Sequence, residues 1–244
     1  MSDDLQLSEH AVRNREMWNA DAPRWVDMAR TAWSTRSPYW GMWSVPEEQV
    51  HILPDVRGLD VLDLGCGTGF HLPLFAGTAR SVTGVEPHPD LASIARRRVR
   101  RLGNVTVLEG SATSLPLPDA SVDVMHARWA YFFGPGCEPG LDELDRVMRT
   151  GGRAFVIDND PTRSTFGGWF RRGYPKVDPG VVARFWQDEG WERHPIETAW
   201  TFDSREELEA VVRIEFTAEV AEEVLAGHQG TEVDYAVNVW SRGY

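Results

Sequence analysis

Cysteine is scarce in this chain, positive charge is outweighed and long apolar runs are missing, and each shortage removes a class of function. Only Cys66 and Cys137 occur among 244 residues. Two are too few for a disulfide framework or a cysteine-rich metal centre, so no metal is expected. Lys and Arg number 25 against 37 Asp and Glu, for a net charge of −12 and a pI near 5.0. That balance opposes sequence-independent attraction to nucleic acid or to an anionic membrane. No uninterrupted apolar run approaches the roughly 20 residues of a membrane helix. The opening MSDDLQLSEH is acidic and polar, unlike a secretory or transit segment. The expectation is a cytoplasmic protein with neither nucleic-acid nor membrane partners.

What is present points to a sizeable core. Hydrophobic residues make up 42% of the chain and include 11 tryptophans, and α/β folds of this length often form one unit. Residues 8–33 read as helical, with Ser8 as N-cap, Pro23 dividing the stretch, and Trp18, Trp25 and Trp33 spaced seven and eight apart. An aromatic loop, STRSPYWGMWSVPEE, follows. From residue 60 onward, β-rich runs at 60–64, 81–85, 104–108, 121–126 and 152–158 alternate with helical segments at 69–77, 90–102 and 138–149. Such alternation requires crossover connections, hence a Rossmann-like, doubly wound parallel sheet. After residue 178 come a helix (PGVVARFWQDEGW), a strand (ERHPIETAWTFD), helical SREELEAVVRIEF and AEVAEEVLAG, and a last strand, EVDYAVNVWS. This makes an α/β, seven-stranded, mostly parallel sheet whose last strand is antiparallel. The expected organisation is a single domain over 1–244, with a helical and aromatic cap at 1–50 and a ligand-binding α/β core at 55–244.

The stretch VLDLGCGTGF at 61–70 runs from a strand into a glycine turn, where free backbone N–H groups gather at the start of a helix. Glu86, 21 positions after Gly65, ends the second strand, and a carboxylate there can accept from both ribose hydroxyls. A nicotinamide dinucleotide and S-adenosylmethionine (SAM) both carry that ribose. The glycine spacing separates them. The dinucleotide fingerprint G-x-G-x-x-G/A needs a small sixth residue, whereas here Gly65, Gly67 and Gly69 are followed by Phe70. Asp63 would repel a pyrophosphate but attract an ammonium and a sulfonium, which SAM carries.

VLDLGCGTGF, VTGVEPHPDL, VLEGSATSLPLPDASVDVM and LDELDRVMRTGGRAFVID, in this order over about residues 55–160, resemble the successive motifs of class I SAM-dependent methyltransferases. The likeness is greatest to the small-molecule group that includes the ubiquinone and menaquinone C-methyltransferases. The resemblance implies that Asp63, Gly65, Cys66 and Gly67 hold the methionyl end of SAM and Glu86 the ribose. Ser111 and Ala112 then flank the adenine, with backbone near Ala127 and Arg128 completing the site. Ser111 stands where the family usually has an aspartate, a departure that weakens the adenine contact. The family's region before the first strand folds over the cofactor, which makes Tyr39, Trp40 and Trp43 lid candidates.

The implied reaction moves a methyl group from SAM to a small-molecule acceptor. A general base is needed only where the acceptor atom carries a proton. Among candidates at strand ends, His126 is the first choice, with His71, Asp158 and Asp160 behind it. Cys66 reads as a small residue rather than a nucleophile, because no base pairs with it in sequence. The ARRRVRR run at 95–101 reads as a solvated helix face. Arg163, Arg171, Arg172 and Lys176 lie in PTRSTFGGWFRRGYPK, expected as a loop or a flap over an acidic acceptor. The rival reading is a non-catalytic SAM-fold binding or scaffold protein.

Overall fold

The computed structural model describes residues 55–244. The expected cap, including Tyr39, Trp40 and Trp43, lies outside the described residues. Within them, strands β1 (Asp60–Leu64), β2 (Ser81–Glu86), β3 (Val105–Glu109), β4 (Val122–Arg128) and β5 (Met148–Asn159) are joined in part by helices α1 (Leu72–Ala76), α2 (Pro89–Val99) and α3 (Glu138–Val147). Helices α4 (Ser164–Gly173) and α5 (Pro179–Asp188) lead to β6 (Glu192–Thr201), and α6 (Arg205–Glu215) and α7 (Ala218–Gly227) lead to β7 (Glu232–Gly243).

The strands pair in the order β3-β2-β1-β4-β5-β7-β6. β1 to β5 pair in parallel, and β7 runs antiparallel between β5 and β6. β7 can therefore fill a gap left inside the sheet, which a right-handed crossover alone would not do. The chain leaves β1 toward β2 and β3 and later returns to β1's other side as β4. That reversal opens a crevice beyond the carboxyl ends of β1 and β4, where open α/β sheets bind ligands.

Each face of the sheet is apolar and covered. On one face Leu72, Ala92, Ala95, Phe166, Trp169 and Leu208 pack from the helices onto strand residues such as Val61, Val82 and Phe155. On the other, Leu141, Leu144 and Trp186 pack onto Leu62, Val85, Met125 and Trp240. Trp186 stacks on Trp240 at 5.8 Å between ring centroids.

Two sequence expectations change. The helix expected at 69–77 shortens to Leu72–Ala76, because Gly69 takes φ +74° and Pro73 stands in the first turn. The loop expected after the fifth strand contains α4, whose Phe166 and Trp169 are buried. Apolar residues at i, i+3 and i+4 (Phe166, Trp169, Phe170) dock this segment as an amphipathic helix despite its glycines.

Candidate active site

β1 delivers Asp63 and the glycine turn to the crevice. The turn is tied to the neighbouring strand: Gly65 and Cys66 donate to the Val85 carbonyl at 2.9 and 3.1 Å. Gly65, Gly67 and Gly69 all have positive φ, at +71°, +54° and +74°, a region costly for other residues. Their surroundings differ. A β-carbon on Gly69 would lie 2.9 Å from the Ala95 β-carbon of α2, and one on Gly65 would lie 2.6 Å from that of Ala130. One on Gly67 would meet nothing within 4 Å among the described residues. Gly69 thus permits close helix packing, whereas Gly67 borders open space.

Glu86, at 6% exposure, buttresses this turn. One carboxylate oxygen accepts from Gly67 N at 2.8 Å and the other from His88 N at 2.9 Å. Burial raises its pKa, and those two N–H bonds act against the rise. Each oxygen keeps a further lone pair for a ribose hydroxyl. The next segment is linked to the same strand, since Gly110 N donates to the Glu86 carbonyl at 3.3 Å. Ser111 Oγ lies 3.2 Å from Thr113 Oγ1, while Ala112 is buried.

Asp63 is 2% exposed, as is His126. They are register partners across β1 and β4, and His126 Nδ1 donates to Asp63 Oδ1 at 2.8 Å. Asp63 Oδ2 and His126 Nε2 are buried without a protein hydrogen-bond partner among the described residues. His71 and Phe75 close around the imidazole, with ring centroids at 5.1 and 5.3 Å. His126 therefore does not end its strand. It lies two residues inside β4, walled by the rings of His71 and Phe75. Burial and the neighbouring His126 lower the pKa of His71 to about 3, so its imidazole is too weak a base near neutrality. Asp63, His71 and His126 offer ligand atoms within 4.8 Å of one another, but a cation there would face the Arg128 guanidinium, 3.4 Å from His71 Nε2.

Cys66 is a packing residue. Its thiol pKa is pushed up by burial and by the charges of Asp63 and Glu86, and a β-carbon on Gly84 would come within 2.8 Å of its sulfur. Ala127 is also core, paired with Leu64, so only its backbone could face a ligand.

The mouth beyond β4 and β5 contains groups of a different kind. Trp129 has φ +46°, a strained conformation for a bulky residue that is often found at functional sites. The Arg128 guanidinium lies 4.1 Å over its ring. Asp158 follows Ile157, the β5 partner of Arg128, and so lies level with Trp129. Burial raises the Asp158 pKa to about 7, opposed by the Asn159 N–H, which donates at 2.7 Å. Asp160 is structural, with Arg193 at 2.9 Å and both donors of Thr162 on its carboxylate. The basic residues after β5 are likewise engaged or exposed: Arg163 pairs with Glu197 and Arg172 with Glu223 at 3.4 and 3.2 Å, while Lys176 is exposed. Arg171 donates to the Pro161 carbonyl. Of the 95–101 arginines, Arg96, Arg97, Arg100 and Arg101 are exposed. Nothing in the sequence pattern marked Trp129, because backbone strain leaves no trace in spacing.

These features suit SAM. The open flank of Gly67 leaves room, the unbonded Asp63 oxygen matches an ammonium, and Glu86 matches a ribose. A methyltransferase domain model matches residues 62–156. Demethylmenaquinone methyltransferase of Thermus thermophilus is 30% identical over 156 residues, covering 62% of this chain and 71% of that one. The chain belongs to the class I SAM-dependent methyltransferases. Solved structures of the same fold include a SAM-dependent methyltransferase from Thermotoga maritima, 21% identical with TM-score 0.54 and covering 94% of this chain and 98% of that one. They also include the [4+2]-cyclase SpnF, 22% identical with TM-score 0.53, covering 77% and 75%. Family membership thus makes this methyltransferase an enzyme that uses SAM rather than a scaffold. Among the described residues no helix is long and apolar enough to cross a membrane.

Proposed function

We propose that the acceptor is a small organic molecule bound in the cytoplasm at the mouth between β4 and β5, and that Asp158 takes its proton. The carrying observation is a carboxyl group with a pKa of about 7 beyond the last β4–β5 pair, suited to proton transfer near neutrality. SAM, when bound, supplies a methyl group already activated on a sulfonium. The chain's own residues then bind and orient. Asp63 and the Gly65–Gly67 turn hold the methionyl end, with Cys66 packing beneath. Glu86 holds the ribose, Ser111 and Ala112 the adenine, and the backbone at Ala127 completes the floor. Trp40 and Trp43, with Tyr39, form a lid from the cap at 1–50, and cap and core make one domain. The lid's support is the aromatic sequence before β1 and the need to exclude water from the transfer.

The test uses isotope-labelled SAM and metabolite extract, with mass gain as the readout. Label should enter an acceptor with a rate that rises as pH rises through about 7 and then levels off, because the base must be ionised. Asp158→Asn should lower that rate about 100-fold or more while SAM binding persists. A variant that matches the wild-type rate, or that keeps the rise through about pH 7, would remove Asp158 from the role.

A further inference from the structure

We propose that His126 is a positioning residue for the cofactor, holding one oxygen of Asp63 so that the other is presented to the SAM ammonium. The inference rests on the cofactor placement proposed above.

Its basis is the hydrogen-bond pattern of a buried pair. Strand register sets Asp63 beside His126, and the 2.8 Å bond occupies Oδ1 alone. Oδ2 is left buried without a hydrogen-bond partner among the described residues. An unsatisfied carboxylate oxygen in a protein interior is costly unless a ligand completes it. Phe75 and His71 pack against the imidazole, so the ring cannot turn away freely and the carboxylate plane is held with it. Such fixed orientation before the ligand arrives reduces the reorganisation needed on binding. The bond also settles the proton on His126 Nδ1, the nitrogen that faces the carboxylate. Without that donor the entire Asp63 carboxylate would be buried with no hydrogen bond. A carboxylate with nothing holding it is free to turn, and the ammonium then no longer meets an acceptor fixed in advance.

The experiment compares two nearly isosteric replacements, His126→Asn, whose amide can donate to Oδ1, and His126→Leu, which cannot. Titration calorimetry is run with S-adenosylhomocysteine, which carries the ammonium, and with 5′-methylthioadenosine, which lacks the amino-acid part. We expect H126L to bind S-adenosylhomocysteine about tenfold more weakly than H126N does, with 5′-methylthioadenosine bound equally by both. Equal S-adenosylhomocysteine affinities, or equal losses for both ligands, would overturn the proposal, since a purely structural residue affects the two ligands alike. His126→Phe, which fills the ring's place against Phe75, serves as the donor-free variant if H126L does not fold. Asp63→Asn separates this proposal from the cofactor placement. If D63N binds S-adenosylhomocysteine as the wild type does, the placement fails. If D63N weakens it while H126L and H126N agree, only the positioning role fails.

Discussion

At the scale of single residues, the site depends on carboxylates whose surroundings set them apart. Asp60 holds a pKa well below the usual range because Arg80, Ser81 and Arg149 bond to it, and it serves the far end of the sheet. Glu86 and Asp158 are instead raised by burial, the direction expected of groups kept ready for a ligand or a proton. Glu86 buttresses Gly67 and His88, and the proposed site gives it a second task as the ribose acceptor. Glu86→Ala removes both. It should weaken SAM binding by about tenfold or more, read by calorimetry on protein whose circular dichroism shows an intact fold. In the proposed cofactor site Ser111 is the weakest contact, since its hydroxyl is within reach of Thr113 and carries no charge. Ser111→Asp, which restores the family's usual acceptor, should strengthen SAM binding by about threefold to tenfold.

The elements show how one turn divides its labour. Gly69 and Gly67 both take positive φ, yet one faces a helix and the other faces space left open by the described residues. Gly69→Ala forces a methyl against Ala95 Cβ and Cα, at 2.9 and 3.1 Å. Gly67→Ala meets no atom of the described residues within 4 Å and adds backbone strain of about 1 kcal/mol. Thermal unfolding should therefore be lowered more by G69A than by G67A, whereas calorimetry should show the larger loss of SAM affinity in G67A. Equal behaviour of the two variants would mean that the ligand does not approach the turn at Gly67. Helix α4 illustrates a different element effect. Its Phe166 lies 4.4 Å from Tyr235 and 4.6 Å from Trp200 between ring centroids, so the segment after β5 is anchored on aromatic packing rather than left to act as a basic flap.

For the whole molecule, the sheet order gathers the proposed contacts among the described residues beyond the carboxyl ends of neighbouring strands, β3, β2, β1 and β4. A ligand that joins β1, β2 and β4 through one site should raise the stability of the native state by mass action. At 100 times its dissociation constant, SAM or S-adenosylhomocysteine would add about 2.7 kcal/mol, a melting shift of roughly 5–10 °C for a chain of this size. NAD should give none, because Phe70 and Asp63 oppose the dinucleotide mode. A shift with NAD alone would overturn the cofactor reading.

The sequence by itself determined the sheet's class, the strand–helix alternation and the positions of the glycine turn and Glu86, because these depend on local periodicity and on spacing along the chain. The closeness of Asp63 to the turn, two residues before Gly65, was legible in the same way. What tertiary structure decided was partnership. His126 looked like a strand-end base until strand register placed it inside β4 beside Asp63. His71 looked equally available until burial lowered its pKa to about 3. Asp158 and Asp160, two residues apart, were indistinguishable in sequence. Arg193, 33 residues further on, neutralises one, and burial near the mouth leaves the other with a pKa of about 7. Hydrogen-bond partners and desolvation come from residues distant in the chain, and spacing along the chain does not encode them.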